Sequence, residues 1–394
     1  MLNKVPEVTL LFWIIKVLCT TVGETFADFL NVNLNFGLTG TSVVMGVLLV
    51  IALVFQFRSK KYIPAVYWIT VVFISVFGTL VTDNLTDRMG IPLETSTIIF
   101  SILLLLTFAI WYAKEKTLSI HSIFTTRRET FYWLTVLFTF ALGTASGDLM
   151  AEALGLGYLV TGIIVAIVIA CVIFARKLKL NPVLSFWLIY IMTRPLGASI
   201  GDLLSQPHKY GGLGLGATNT SFIFLGGILA VVLYFTFSKK DVITNAVVEE
   251  KEDMEGKGII WQTVGAVLIF VIVGGGAYYW RHNALQKEIT TSISTTTSSQ
   301  TSQTSPLGDL YIFIKITEDT RDLVIAGNLT GAKTRIADLE YEWDNAQSRL
   351  KPMNNVKWTE VDNAIDKVLR ELRAVNPTVD GSKSALDALL NTLK

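Results

Sequence analysis

The chain has 394 residues, of which 51% are hydrophobic and 16% charged, with a net charge of +1. Residues 1–240 are dominated by apolar segments of about twenty residues, long enough as helices to span about 30 Å of hydrocarbon, which excludes a soluble protein. The near-neutral balance gives no ground for a nucleic-acid partner, and two cysteines exclude a disulfide framework.

In chain order, spans are predicted near 8–30 and 38–57, 62–83 and 95–113, 130–152 and 157–175, and 182–204 and 218–237. The first carries Lys16, Glu24 and Asp28, so it reads as a span rather than a signal peptide. Cys19 and Cys171 fall inside apolar segments and read as packing residues. Basic residues gather in alternate loops: Arg58, Lys60 and Lys61; Lys114, Lys116, Arg127 and Arg128; Arg176, Lys177 and Lys179. Lys4, Lys239 and Lys240 fall on the same side, against only Arg88 and Lys209 opposite. The positive-inside rule then places the N-terminus in the cytoplasm. His121 sits among basic loop residues and reads as solvated. His208, in the Gly-rich loop SQPHKYGGLGLG, reads as part of a connection.

The expected organisation is a membrane core over 1–240, a cytoplasmic linker over 241–258, a ninth span over 259–280 and a Ser/Thr-rich tether over 281–306. Residues 307–394 form an extracytoplasmic helical domain. Its predicted helices cover 309–326, 328–351, 356–375 and 382–393, with apolar stripes such as Trp358, Val361, Ile365, Val368 and Leu372. Asn328 is placed to cap the second, and Asp380 or Ser382 the last. A small antiparallel bundle is the economical reading.

One pattern organises the core. Trp13, Gly23 and Asp28 recur with unchanged spacing as Trp68, Gly78 and Asp83, as Trp133, Gly143 and Asp148, and as Trp187, Gly197 and Asp202. An aromatic residue precedes each Trp: Phe12, Tyr67, Tyr132 and Phe186. The core is therefore four tandem two-helix repeats, near 8–57, 62–113, 130–175 and 182–237, all pointing the same way. The fold class is an all-α integral membrane protein.

On each odd-numbered helix, positions 3, 7, 11 and 15 after the Trp share one face. They read Lys16, Thr20, Glu24, Asp28; Val71, Ser75, Thr79, Asp83; Val136, Phe140, Thr144, Asp148; and Tyr190, Arg194, Ala198, Asp202. The Trp residues fit an interfacial belt, or else the floor of a central cavity. The Gly residues serve close helix approach. The four Asp residues either bond to helix ends and nearby hydroxyls, or form a ring that holds a hydrated cation or shares protons. Lys16 and Arg194 are candidate counter-ions; each lies eight residues before an acid on its own helix, so pairing across helices is at least as reasonable. No His pair or Cys cluster names a metal, no cofactor motif appears, and no nucleophile arrangement points to an enzyme.

These tandem two-span repeats, each with a Trp and a downstream Gly and Asp, resemble the bacterial membrane-protein family built from four copies of the "domain of unknown function 347" repeat. The resemblance implies an eight-span core in a bacterial cytoplasmic membrane and supplies no catalytic residue. Charged residues within spans mark pathways by default. The leading functional expectation is therefore transport of a small cation along Asp28, Asp83, Asp148, Asp202, Glu24, Lys16 and Arg194, with the lipid bilayer as surroundings. The alternative is a membrane sensor or scaffold whose outer domain binds an extracytoplasmic partner.

Overall fold

The computed structural model describes residues 3–33, 36–205, 212–243, 259–296, 305–351, 353–374 and 376–394. His208 and most of the 241–258 linker lie outside them. Nine of the described helices are long and apolar enough to cross a bilayer. They contain α1 (Leu10–Asp28), α2 (Gly37–Arg58), α3 (Pro64–Asp83), α4 (Leu93–Glu115) and α5 (Thr126–Asp148). Then follow α6 (Tyr158–Lys177), α7 (Pro182–Ser205), α8 (Gly216–Ser238) and the long α9 (Ile259–Thr296).

The odd helices α1, α3, α5 and α7 form a closed inner ring, each touching the next and α7 returning to α1. Between 56% and 72% of the most apolar stretch of each is buried, against 17–28% for α2, α4, α6 and α8, so the even helices are the lipid-facing layer. Val47, Ile102, Ile167 and Leu229 point outward from that layer.

Hydrocarbon gives apolar faces no reason to associate, so helices in lipid meet through small residues, van der Waals contact and hydrogen bonds. The repeated Gly provides this contact four times in the same way. A Cβ on Gly23 would collide with Ser75, one on Gly197 with Thr20, one on Gly78 would stand 2.7 Å from Phe140 Cβ, and one on Gly143 would stand 2.5 Å from Arg194 Cβ. Each partner is the residue seven places after the Trp of the next helix around the ring. Hydroxyls stitch the same seams: Thr21 Oγ1 donates to Gly197 O at 3.0 Å, and Thr82 Oγ1 to Ala141 O at 3.1 Å.

The aromatic pairs close one end in the same cyclic order. Phe12 meets Trp68, Tyr67 meets Trp133, Tyr132 meets Trp187, and Phe186 meets Trp13, with ring centroids 5.4–6.1 Å apart. Trp68, Trp133 and Trp187 are buried. The belt reading is thereby corrected: these indoles are held in the protein by the neighbouring repeat's aromatic ring, not by the lipid interface.

The even helices do not pack mainly on the odd helices of their own repeats. α2 lies on α3, α4 on α5, α6 on α7, and α8 closes on α1. Each repeat therefore hands its second helix to the next repeat.

Two sequence expectations about side chains change. Cys19 is buried, but Cys171 on α6 faces outward. His121 is buried in a short turn beside Glu7, because the N-terminal segment covers it.

α9 continues as helix through Thr296, so the first part of the expected tether extends the span. Beyond the tether, α10 (Tyr311–Ile325), α11 (Leu329–Leu350), α12 (Asn355–Arg373) and α13 (Val379–Leu393) form a four-helix bundle in which α13 returns to α10. Asn328 caps α11 by accepting from Gly331 N at 2.9 Å. The last cap is Thr378, not Asp380 or Ser382, since the helix begins earlier. The stacked indoles of Trp343 and Trp358, with centroids 4.0 Å apart, occupy the bundle core.

Replacing Gly197 by Val should cost about 1–3 kcal/mol through overpacking against Thr20 and Thr21. Gly265 on α9 has no neighbour within 4 Å of an added Cβ, so Gly265→Val should leave the unfolding midpoint in detergent nearly unchanged.

Candidate functional site

The ring brings the four odd-helix faces together on its axis. At its centre is Arg194, fully buried on α7. Its Nε donates to Thr144 Oγ1 of α5 at 3.0 Å, and its Nη1 to Thr20 O of α1 at 2.7 Å. Its Nη2 donates to Glu24 Oε2 at 2.5 Å and to the Thr79 hydroxyl of α3. One guanidinium thus binds all four repeats. The fork of five donors explains why Arg stands here: a Lys ammonium has three donors and no planar spread. Thr79, Thr144 and Glu24 are equivalent positions of the repeat, and the fourth, Ala198, leaves room at this level on Arg194's own helix.

The ion pair joins α7 to α1, so pairing across helices is the arrangement found. Lys16 pairs with no carboxylate. Its buried Nζ has no hydrogen-bond partner and lies 3.6 Å from the centroid of the Phe140 ring and 4.1 Å from that of Tyr190. Its expected role as a counter-ion is corrected accordingly.

Below this level the aromatic floor closes the axis, and the Tyr67 and Tyr132 hydroxyls bond to each other across it. Under the floor runs the N-terminal segment. Asn3 Nδ2 donates to Ile120 O at 3.1 Å, Tyr62 N to Asn3 O at 3.1 Å, and Glu7 N to Asp241 O at 2.8 Å. Lys4 Nζ pairs with buried Glu129 at 2.6 Å, and Gln56 Nε2 donates to the other oxygen of Glu129 at 3.1 Å. Sequence reasoning missed this strap, having counted Lys4 only as a loop charge.

The opposite end is acidic. Asp28 is exposed, and Asp83, Asp148 and Asp202 are half-buried. After Asp28, Asp83 and Asp148 the helix loosens into a π-helical turn: Phe29–Asn33, Asn84–Arg88 and Leu149–Ala153. Such turns are rare and are frequent at functional sites. Asp87 and Glu152 lie on two of them. No group of three or more His, Cys, Asp or Glu side chains among the described residues is close enough to hold a metal ion directly. The Asp residues form a field of carboxylates rather than a coordination shell.

The bundle sits over this mouth. α12 touches the first two π-helical turns and α11 the third. Asn355 Nδ2 donates to Gly90 O at 2.6 Å, and on α9 Arg281 Nε donates to Leu154 O at 2.8 Å. The bundle adds acids of its own. Crowding by the protein around it, reinforced by Glu340 and by Glu152 of the core, pushes the Asp344 carboxyl well above its ordinary range although the residue keeps contact with solvent. Burial, then Asp366 and Asp87, does the same to Asp362. Burial, with Asp87 and Glu340 acting against Arg370, holds Asp366 up to about 6. The charged surface of the bundle is therefore in part a face turned toward the membrane core.

These features define the class: a multi-pass membrane protein whose four tandem two-helix repeats close around a polar axis. A family model described as Repeat of Unknown Function (DUF347) matches at residues 11–62, 66–117, 131–179 and 185–241. The chain belongs to that family. Neither a curated protein nor a solved structure matches it.

Removing the guanidinium leaves Glu24 without its cation. Arg194→Met should cost about 3–5 kcal/mol in unfolding free energy, the usual loss when one partner of a buried pair is removed. The double variant Arg194→Met with Glu24→Met should lose less than the single one. Urea unfolding in detergent, followed by tryptophan fluorescence, checks both.

The bundle acids generate a pH prediction. Their carboxyls lie above the unfolded value of 3.8, so the docked state binds more protons than the unfolded one. Their contribution is fully present below that value and is lost for Asp366 as pH rises through about 6. Hydrogen exchange in α11 and α12, corrected for intrinsic rates, should be faster at neutral pH than near pH 4. Asp366→Asn should reduce the difference.

Proposed function

We propose that the protein transports a small cation along the repeat axis. The observation that carries this reading is Arg194: a charged group held at the centre of the spans by every repeat, between a carboxylate mouth and a closed floor. Asp28, Asp83, Asp148 and Asp202 raise the local cation concentration at the mouth, aided by Asp87 and Glu152. A cation arriving at the level of Glu24 competes with Arg194 for that carboxylate. Passage requires the guanidinium to give up its bonds and the floor to open, so the arrangement is the closed member of an alternating pair. The Trp end faces the cytoplasm of a bacterium, as the loop charges indicate, and the bundle lies outside.

Docking of the bundle on the mouth favours a second reading. As a sensor, the bundle would bind an extracytoplasmic partner and transmit its position through the π-helical turns. Accessibility separates the two, since a transporter must admit water to the axis from both ends in turn.

The test is cation binding to purified full chain, measured by calorimetry and metal analysis with Na⁺, K⁺, Mg²⁺ and Mn²⁺. The comparison is a folded variant with Asp28, Asp83, Asp148 and Asp202 all changed to Asn. Binding weakened at least about tenfold, about 1.4 kcal/mol, supports the reading. Absence of binding to the folded parent, together with no ion flux in liposomes, removes it.

A further inference from the structure

α9 meets the rest of the protein differently from α1 to α8. It is fastened at two levels and stands clear over its middle. Near one end Gln262 Oε1 accepts from Asn181 N at 2.7 Å. Near the other, the Tyr278 hydroxyl donates to Glu94 Oε1 at 3.2 Å. Arg281 donates there from Nε to Leu154 O at 2.8 Å and from Nη2 to Gly155 O at 3.4 Å. Gln262 and Tyr278 lie about 24 Å apart along the helix. Between them Leu268–Ala277 are exposed without a break, and even Phe270 keeps 38% of its surface. A helix packed along one side buries a residue every three or four steps, as α2 does with Met45, Leu49 and Ala52. The middle of α9 has no such stripe. Gly274, Gly275 and Gly276 look out in directions about 100° apart, and a Cβ on any of them would meet nothing within 4 Å.

Leu154 precedes α6 and Asn181 follows it, so α9 runs alongside α6 in the opposite direction and is joined to the core at both ends of that helix. α6 in turn leaves Ile163, Ile167 and Phe174 exposed. The space between the two fastenings is a slot between apolar helices. Exposed Trp261 and Trp280 stand at its two ends, about 28 Å apart, as interfacial indoles do, which sets the slot at hydrocarbon depth. Water finds no polar partner in it, and an unfilled gap would forfeit contact on both walls. A fatty acyl chain meets both demands. The ends differ in charge. At the level of the aromatic floor, Arg176, Lys177 and Lys179 are exposed a few residues before Asn181. At the mouth end stand the carboxylates of Glu94 and Glu152, and the Arg281 guanidinium there is engaged by carbonyls. An anionic head group is drawn to the first end and opposed at the second.

We propose that the slot between α6 and α9 binds an anionic phospholipid of the floor-side leaflet, with its phosphate on Arg176, Lys177 and Lys179 and an acyl chain along Leu268–Ala277. Such a site is independent of what the axis carries and suits a transporter or a sensor alike. The chain supplies the packing that α9 does not obtain from protein, and so steadies the span to which the bundle is tethered.

The test uses the full chain, stripped of lipid in detergent and given dioleoyl phosphatidylglycerol or dioleoyl phosphatidylcholine, with retained lipid counted by native mass spectrometry. Phosphatidylglycerol should be held at least about tenfold more tightly. Arg176→Gln combined with Lys177→Gln and Lys179→Gln should remove that preference. Should this variant fail to fold, raising NaCl from about 0.1 M to about 1 M must weaken the parent's preference, because salt screens the head-group contact. Phosphatidylglycerol with a diazirine on its acyl chain locates the site. It should label α6 and Leu268–Ala277 more than the same photoprobe built on phosphatidylcholine. Equal retention and equal labelling by the two lipids leave ordinary boundary lipid only and overturn the proposal. A preference that survives both the triple variant and salt overturns it too, as does selective labelling confined to other helices.

Discussion

A guanidinium buried on the axis of a helical ring has to be satisfied from all sides, because water cannot reach it and each unmet donor is costly. Arg194 meets that demand with Thr20, Glu24, Thr79 and Thr144, one or more from each of the other three inner helices. The inner ring can therefore be neither wider nor shifted in register by a turn without leaving donors bare. Glycine at the four seams is the other half of the same constraint. It lets the helices approach closely enough for a single side chain to span the centre. Removing either half would leave the other without purpose.

The two ends of the axis are built from different chemistry. At the Trp end, rings interlock around the circle and the strap from Asn3 to Glu7 lies beneath them, held by the buried Lys4 and Glu129 pair. At the Asp end the helices loosen into π-helical turns, carboxylates remain in contact with solvent, and the bundle covers them through a few polar contacts. A tight, apolar closure thus faces a loose, charged one across the Arg194 level. That asymmetry is what gives the axis a direction.

Much of this could be read from the chain. The repeated Trp, Gly and Asp fixed the number of repeats and their common orientation, and the four-residue steps from each Trp picked out Lys16, Thr20, Arg194, Thr79 and Thr144 as one face. The crossing of Arg194 to Glu24 was foreshadowed by the lack of a partner within one turn of its own helix. What was not legible depends on contacts between distant segments. No local pattern tells which odd helix an even helix will choose, and the apolar stretches of α2, α4, α6 and α8 look alike. The burial of His121 and Lys4 depends on a strap whose few residues have no periodicity. The two readings of the Trp residues could not be separated because an aromatic pair at a helix start has the same sequence signature in lipid headgroups and in a protein core. Docking of the bundle follows from surface charge and shape, which the Ser/Thr tether neither requires nor forbids.

The transfer of each even helix to the next repeat bears on how the ring is made. A single repeat has no complete packing interface within itself, so two or three of them in line leave an inner helix uncovered at one end and an outer helix unpaired at the other. The seam is sealed only when α8 reaches α1, which joins the last-made span of the core to the first. The covalent order of the helices is thus secondary to their cyclic order. A chain opened between α1 and α2, with α8 joined to α1, would carry the same neighbours throughout. So would separate two-helix chains assembled as a tetramer by exchange of their second helices, which makes the present protein equivalent to a helix-swapped oligomer written on one polypeptide.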